Sequence, residues 1–198
     1  IEFLKQKYPE ILPRVRVSTK EVVSIAQQLK KKIKCKMGRK IKLYKELINS
    51  WEKYASMPLL YYLKYGKEKE DVRLHLKGAP KRSGVKGIVR VDEKFCRLLG
   101  YFASEGHVHN SIPFWTFGKN ENKLINDVKN LIKSCFGIEP KIYRTDKKYS
   151  SIQIMAGNKL VGLLLQELVG NKSHEKKVPS MLFFLSTECR KAFIEGVV

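Results

Sequence analysis

Residues 98–106 read Leu-Leu-Gly-Tyr-Phe-Ala-Ser-Glu-Gly, and this run restricts the fold more than any other part of the chain. Its spacing predicts a helix from about Asp92 to Ser104. Gly100 and Ser104 stand four residues apart and share one face, with Ala103 beside them. Small residues on one stripe let a second helix approach closely. The helix delivers Glu105 at its C-terminal end, just before Gly106, where the left-handed conformation that closes helices is expected. The helix dipole disfavours a carboxylate there by about 0.3–1 kcal/mol. A divalent cation reverses the sign of that interaction, and Mg²⁺ suits sites with one or two carboxylates plus phosphate oxygens.

After this helix the apolar pattern switches between two periods. Residues 107–109 and 113–118 read as strands. Residues 122–136 read as a helix with Leu124, Ile125, Val128, Leu131 and Ile132 on one face, closed by Gly137. Residues 138–145 and 149–155 read as a hairpin around Asp146-Lys147-Lys148, and 159–168 as a helix closed by Gly170. The order α-β-β-α-β-β-α predicts an α+β fold with helices on one face of an antiparallel sheet. A short helix near 179–184 and the beginning of another from Thr187 follow.

Residues 1–76 read as mostly helical. Ser18 and Glu21 have capping-box spacing ahead of Val22, Ile25, Ala26 and Leu29, which recur at helical spacing. Two more helical patterns run over 40–54 and from about 56 to Gly66. Residues 77–90 are rich in Gly, Pro and basic side chains and lack periodicity, which predicts a linker. The expected organisation is a helical basic module (1–76), a linker (77–90), an α+β half (91–185) and a helix just begun (186–198). Because residue 1 is Ile1 rather than Met and the last helical pattern breaks off, a longer native chain is expected.

The charge names a partner class. The 198 residues carry 40 Lys and Arg against 19 Asp and Glu, a formal +21. Residues 1–88 alone hold 23 basic and 8 acidic side chains. Such an excess repels itself unless an anion compensates it. An anionic membrane surface or a Lys-rich thermophile surface are the bland explanations; nucleic acid is the expected partner. The contacts expected in the N-terminal part are Lys30, Lys31, Lys32, Lys34, Lys36, Arg39, Lys40, Lys81, Arg82 and Lys86, with a helix-turn-helix-like arrangement among its helices. Cys35, Cys96, Cys135 and Cys189 form no Cys-x-x-Cys pair, which argues against structural zinc and for reduced thiols in a cytoplasmic protein. No apolar run reaches membrane-spanning length.

The run at 98–106 resembles the LAGLIDADG motif. Leu98, Leu99, Gly100, Phe102, Glu105 and Gly106 fit its apolar, glycine, apolar, acid and glycine positions, and the Ser-Glu-Gly ending is similar to archaeal intein (dodecapeptide, DOD-type) endonucleases. The resemblance extends from about 91 to 198. Glu175-Lys176-Lys177-Val178-Pro179 resembles the basic segment before the family's second motif, and Arg190-Lys191-Ala192-Phe193-Ile194-Glu195-Gly196 resembles the start of that motif.

The resemblance implies a site-specific homing endonuclease that cuts double-stranded DNA at a long recognition site with divalent metal, most simply Mg²⁺. In the family two such helices pack side by side, here through Gly100, Ala103, Ser104 and Gly196. Each brings one acid to the centre of a saddle of two sheets. Glu105 is then the first acid and a metal ligand, with the Ser104 carbonyl as a further ligand and Lys176 or Lys177 near the metal-bound water. Free-standing members usually carry Asp where this chain has Glu105. The second acid belongs about five residues after Val198, from the same longer chain or from a partner chain. Strands after the motif enter the major groove, which makes Thr116, Lys119, Lys141, Arg144 and Gln153 candidate DNA contacts and the Lys147-Lys148 turn a phosphate clamp. Phe114, Trp115 and Tyr143 are expected in the core. The alternative is a catalytically inactive DNA-binding regulator or an RNA-intron maturase on the same fold.

Overall fold

A computed structural model describes residues 1–33, 39–67, 71–79, 84–144 and 151–197, with only the backbone of Arg39, Lys40 and Arg144. The chain forms two compact units, residues 1–88 and 89–198.

The first unit holds α1 (Glu2–Lys7), a 3-10 helix (Pro9–Arg14), β1 (Val15–Ser18), α2 (Glu21–Ile33), α3 (Arg39–Tyr54), β2 (Ser56–Pro58), α4 (Leu59–Tyr65), β3 (Arg73–Leu76) and β4 (Val85–Lys86). Helix α2 buries Val22, Ile25, Ala26 and Leu29, the stripe its spacing predicts. Helices make up most of residues 1–76, as expected, but the centre of the unit is a four-stranded antiparallel sheet of order β2-β1-β3-β4, which the helical expectation omits. Val15-Arg16-Val17-Ser18 and Arg73-Leu74-His75-Leu76 do alternate, but each strand has at most four residues, too few to outweigh the helical patterns beside it. Ser18 does not cap α2. It ends β1, paired with Ser56 and Arg73. The Glu21 carboxylate instead accepts hydrogen bonds from the Tyr62 hydroxyl at 2.5 Å and the Lys67 N–H at 2.7 Å. Val85 and Lys86, within the stretch expected as a linker, pair with Leu74 and Arg73.

The second unit follows the order α5 (Glu93–Glu105), β5 (Gly106–His109), β6 (Ile112–Gly118), α6 (Asn122–Phe136), β7 (Lys141–Arg144), β8 (Ser151–Met155), α7 (Lys159–Val169) and α8 (Thr187–Gly196). This is the expected α+β arrangement, consistent with the LAGLIDADG fold: helices pack on an antiparallel sheet of order β5-β6-β8-β7. Asp92 caps α5 by accepting from the Phe95 N–H at 3.0 Å. The helix is buried nearly all round and packs against α6, α7, α8 and β6. Pro113, Trp115 and Phe117 alternate inward along β6, and the Trp115 ring meets Phe102 edge-on at 5.5 Å. Gly137, at φ 66°, closes α6 in the left-handed conformation. Cys96, Cys135 and Cys189 are buried free thiols. Among the described residues no helix is long and apolar enough to cross a membrane.

Candidate functional site

The site is built where α5 ends and β5 begins. Glu105 is the last helical residue, half-buried. Burial pushes its carboxyl above the usual range, and the negative charge of Glu121 adds to the shift. Among the described residues its carboxylate has no hydrogen-bond donor and no cation partner. Gly106 is extended, at φ −91° and ψ 149°, so the left-handed closure expected there is not formed. The next residue already belongs to a strand, which a left-handed turn would misdirect. Glycine is required here for space instead: a Cβ would stand 2.2 Å from the Phe102 ring and 2.6 Å from the Phe102 carbonyl oxygen.

Lys176 reaches this junction from the loop after α7. Its Nζ donates to the Phe102 carbonyl at 2.5 Å and to the Gly106 carbonyl at 2.8 Å, and lies 4.0 Å from the Phe102 ring centre. The Phe102 carbonyl also accepts from the Gly106 N–H, so the amine is a second donor at the point where α5 passes into β5. Burial lowers its pKa to about 8. Lys177 points elsewhere. Its backbone N–H donates to the Val169 carbonyl at 2.8 Å and its side chain is exposed, so only one of the two adjacent lysines enters the site.

The loop that carries Lys176 is fastened at two points. Gly170 adopts φ +94°, and a Cβ there would stand 2.2 Å from the Glu175 carbonyl oxygen. The Asn171 side chain accepts from the Val108 N–H at 2.5 Å and donates to the Val108 carbonyl at 3.1 Å, acting as a short strand along the edge of β5. Nothing in the sequence marks Asn171 beyond its place after a helix-closing glycine. A cavity of about 510 Å³ opens here, lined among others by Ser104, His107, Asn171, Lys172 and Lys176. Ser104 Oγ turns back towards the Gly100 carbonyl at 3.4 Å, and Ala103 also lines the cavity. His107 stacks on Phe114 at 5.4 Å. Its pKa is lowered by burial, then by the charges of Lys176 and His109. His174 is exposed.

Helix α8 lies against α5 through glycines. A Cβ on Gly100 would stand 2.1 Å from the Phe193 carbonyl oxygen and 2.9 Å from the Gly196 Cα. Arg97 ties the pair together, with ion pairs to Asp127 of α6 at 2.8 Å and to Glu195 of α8 at 3.2 Å.

Register places the remaining candidates. Thr116, Gln153 and Tyr143 form one row across β6, β8 and β7, and Phe114, Met155 and Lys141 the next. These side chains lie on the sheet face away from the buried Trp115, Phe117 and Ile154. Trp115 is core as expected. Phe114 and Tyr143 are not: Phe114 is half-buried and Tyr143 is 44% exposed on the open face. Their alternation with Trp115 and Ile142 fixes that side. Lys119 is exposed in the turn after β6. Arg144 pairs with Ile152 through its backbone. In the first unit Lys31 and Lys32 are exposed, whereas Lys30 is ion-paired with Glu52 of α3. Lys34, Lys36, Lys81, Arg82, Lys147, Lys148 and the side chains of Arg39, Lys40 and Arg144 lie outside the described residues.

Residues 92–180 match the sequence profile of the LAGLIDADG-like domain, which supports placing them in the LAGLIDADG family. A stretch of 73 residues is 40% identical to an uncharacterised protein of Methanocaldococcus jannaschii, covering 37% of this chain and 9% of that protein. The chain is also similar to transcription initiation factor IIB of the same organism, 31% identical over 109 residues, 55% of this chain and 15% of the factor. A DNA polymerase of Thermococcus hydrothermalis is 29% identical over 134 residues, 64% of this chain and 8% of the polymerase. The chain thus spans no more than 15% of the length of these three relatives.

Proposed function

We propose that this chain is the DNA-gripping part and first catalytic half of a metal-dependent, site-specific endonuclease that cuts double-stranded DNA. The observation that carries the reading is the junction at Gly106. There a half-buried carboxylate, raised in pKa and without a cation partner among the described residues, ends a helix whose next turn of chain is held by the half-buried amine of Lys176, with a pKa of about 8.

That donor set fits a divalent cation. Glu105 meets the helix dipole unfavourably, and a cation relieves it. No cluster of three or more His, Cys, Asp or Glu among the described residues holds a metal unaided. The remaining ligands therefore come from phosphate oxygens and a second acid, the pattern Mg²⁺ prefers. Glu105 and the Ser104 carbonyl are the ligands from this half. A bound cation there supplies activation of water and neutralisation of the phosphate in an in-line displacement. Glu105 would hold that cation at a fixed position relative to the end of α5. Lys176 holds its Nζ against two carbonyls, presenting positive charge below pH 8 and a neutral amine above it. The open sheet face, with Thr116, Gln153 and Lys141, reads the groove and holds the backbone.

The relatives support an intein context for this reading. A transcription factor and a DNA polymerase are similar to this chain over 15% and 8% of their lengths. Proteins so different share a segment most simply when it is inserted into each. The test is a plasmid carrying a host gene with the insert removed, incubated with the full-length protein and Mg²⁺. A double-strand cut at the insertion point is the expected result. A plasmid that is bound but stays intact with every divalent metal contradicts the enzyme reading and leaves a DNA-binding regulator.

A further inference from the structure

Each face of the sheet in the first unit carries one set of side chains, since strand residues alternate. Val15, Val17, Met57, Leu74 and Val85 are buried on one face. On the other, Ser56, Ser18, Arg73 and Lys86 form a single row across all four strands. The next row carries Pro58, Arg16 and His75. Arg14 and Lys77 lie just beyond the strand ends, joined by a hydrogen bond from the Lys77 N–H to the Arg14 carbonyl at 2.7 Å. Arg14, Arg73, Lys77 and Lys86 are exposed, and no residue of the four strands is acidic.

The centre of this face is organised rather than loosely solvated. Arg16 Nε donates to Ser56 Oγ at 3.1 Å and its Nη2 to the Ser56 carbonyl at 2.6 Å. Ser56 and His75 are buried beneath it, at 2% and 4% exposure, with Ser56 Oγ 3.5 Å from His75 Nε2. The guanidinium is thus held in place before any partner arrives. The cations stand on or next to β1, β3 and β4, so a strand spacing of about 4.8 Å spreads them over about 10 Å. A plate of that width exceeds one small anion and suits a run of phosphates, spaced about 3.4 Å per strand along the duplex axis.

The geometry points to this face as a clamp on the phosphate backbone of duplex DNA, with Arg14, Arg16, Arg73, Lys77 and Lys86 as its contacts. The inference rests on the DNA reading of the chain but not on cutting or on Glu105. It moves the main grip of the first unit from the lysines of α2 to its sheet.

The experiment is fluorescence anisotropy of a random-sequence duplex with the 198-residue chain, titrated with KCl. The variant Arg73→Gln/Lys77→Gln/Lys86→Gln lowers the slope of log K against log salt by about 2–3, since each neutralised phosphate contributes about 0.9. The charge-matched variant Lys20→Gln/Lys31→Gln/Lys32→Gln on and before α2 lowers it by less than half as much. If loss of the Arg73 bond to the Gly84 carbonyl unfolds the first variant, Lys77→Gln/Lys86→Gln takes its place, with an expected fall of about 2. An unchanged slope, or an equal fall in the α2 variant, overturns the inference while the DNA reading stands. Absence of any duplex binding by the unsubstituted chain overturns both.

Discussion

Gly100 of α5 and Gly196 of α8 meet backbone to backbone, so closely that a methyl group on Gly196 would stand 2.2 Å from the Arg97 carbonyl oxygen. Neither contact is with a flexible side-chain tip, so neither helix can yield without moving. Gly100→Ala and Gly196→Ala are each expected to destabilise the second unit by about 1–3 kcal/mol, the usual cost of overpacking. Chemical denaturation checks this. The double variant should cost less than the two single effects together, because the first substitution already parts the helices.

Glu105→Gln should raise stability at neutral pH. Burial and Glu121 raise the carboxyl's pKa in the folded state, so its contribution is fully present below the unfolded value near 4.5 and is lost as pH rises through the folded value. The glutamine variant, which cannot ionise, escapes that loss and also the unfavourable dipole, together about 0.5–1 kcal/mol. Thermal melts should show the variant ahead at pH 7 and level with wild type at pH 4. A variant less stable at pH 7 would mean that the carboxylate is held by contacts that stabilise it.

Lys176→Met removes a donor from the Gly106 carbonyl and the second donor from the Phe102 carbonyl, which keeps the Gly106 N–H. A loss of about 1 kcal/mol is expected, the net worth of an ordinary hydrogen bond. The pH dependence has a definite sign. With the folded pKa lowered to about 8 from 10.5, the amine's contribution is present above 10.5 and is lost as pH falls through about 8. The melting temperature of wild type relative to Lys176→Met should therefore rise between pH 8 and 10.5.

The open sheet face should separate positioning from reading. Lys141→Gln is expected to weaken all duplexes alike and to reduce the salt slope by about 1. Thr116→Ala and Gln153→Ala, neighbours in one row, should instead relax preference at particular base pairs, by about 1–3 kcal/mol each. Binding to a randomised duplex library distinguishes the two patterns.

The second unit was legible because its signals are long. Helix α6 presents a full apolar stripe and a closing glycine, and the strands of its sheet follow the motif helix in a regular order. The first unit was not, because strands of two to four residues lie between strongly periodic helices, and Ser18 and Glu21 imitate a cap that tertiary pairing overrides. At the site, Glu105 stood out by its place at the end of an apolar helix. Which of Lys176 and Lys177 enters depends on how the loop is fastened by Gly170 and Asn171, a distant contact with Val108 that no local pattern encodes. Phe114 and Tyr143 were misplaced because aromatic character favours a core assignment, whereas the register with Trp115 and Ile142 turns them outward.

The central claim is that Glu105 works in DNA cleavage. Its most direct test compares single-turnover cleavage by full-length wild type and Glu105→Gln in Mg²⁺, with duplex binding measured in parallel. The account predicts binding within a few-fold and a cleavage rate lower by at least about 100-fold, the order expected on removing one preorganised group from a reacting centre. A Glu105→Gln protein that binds and cuts at the wild-type rate would contradict it.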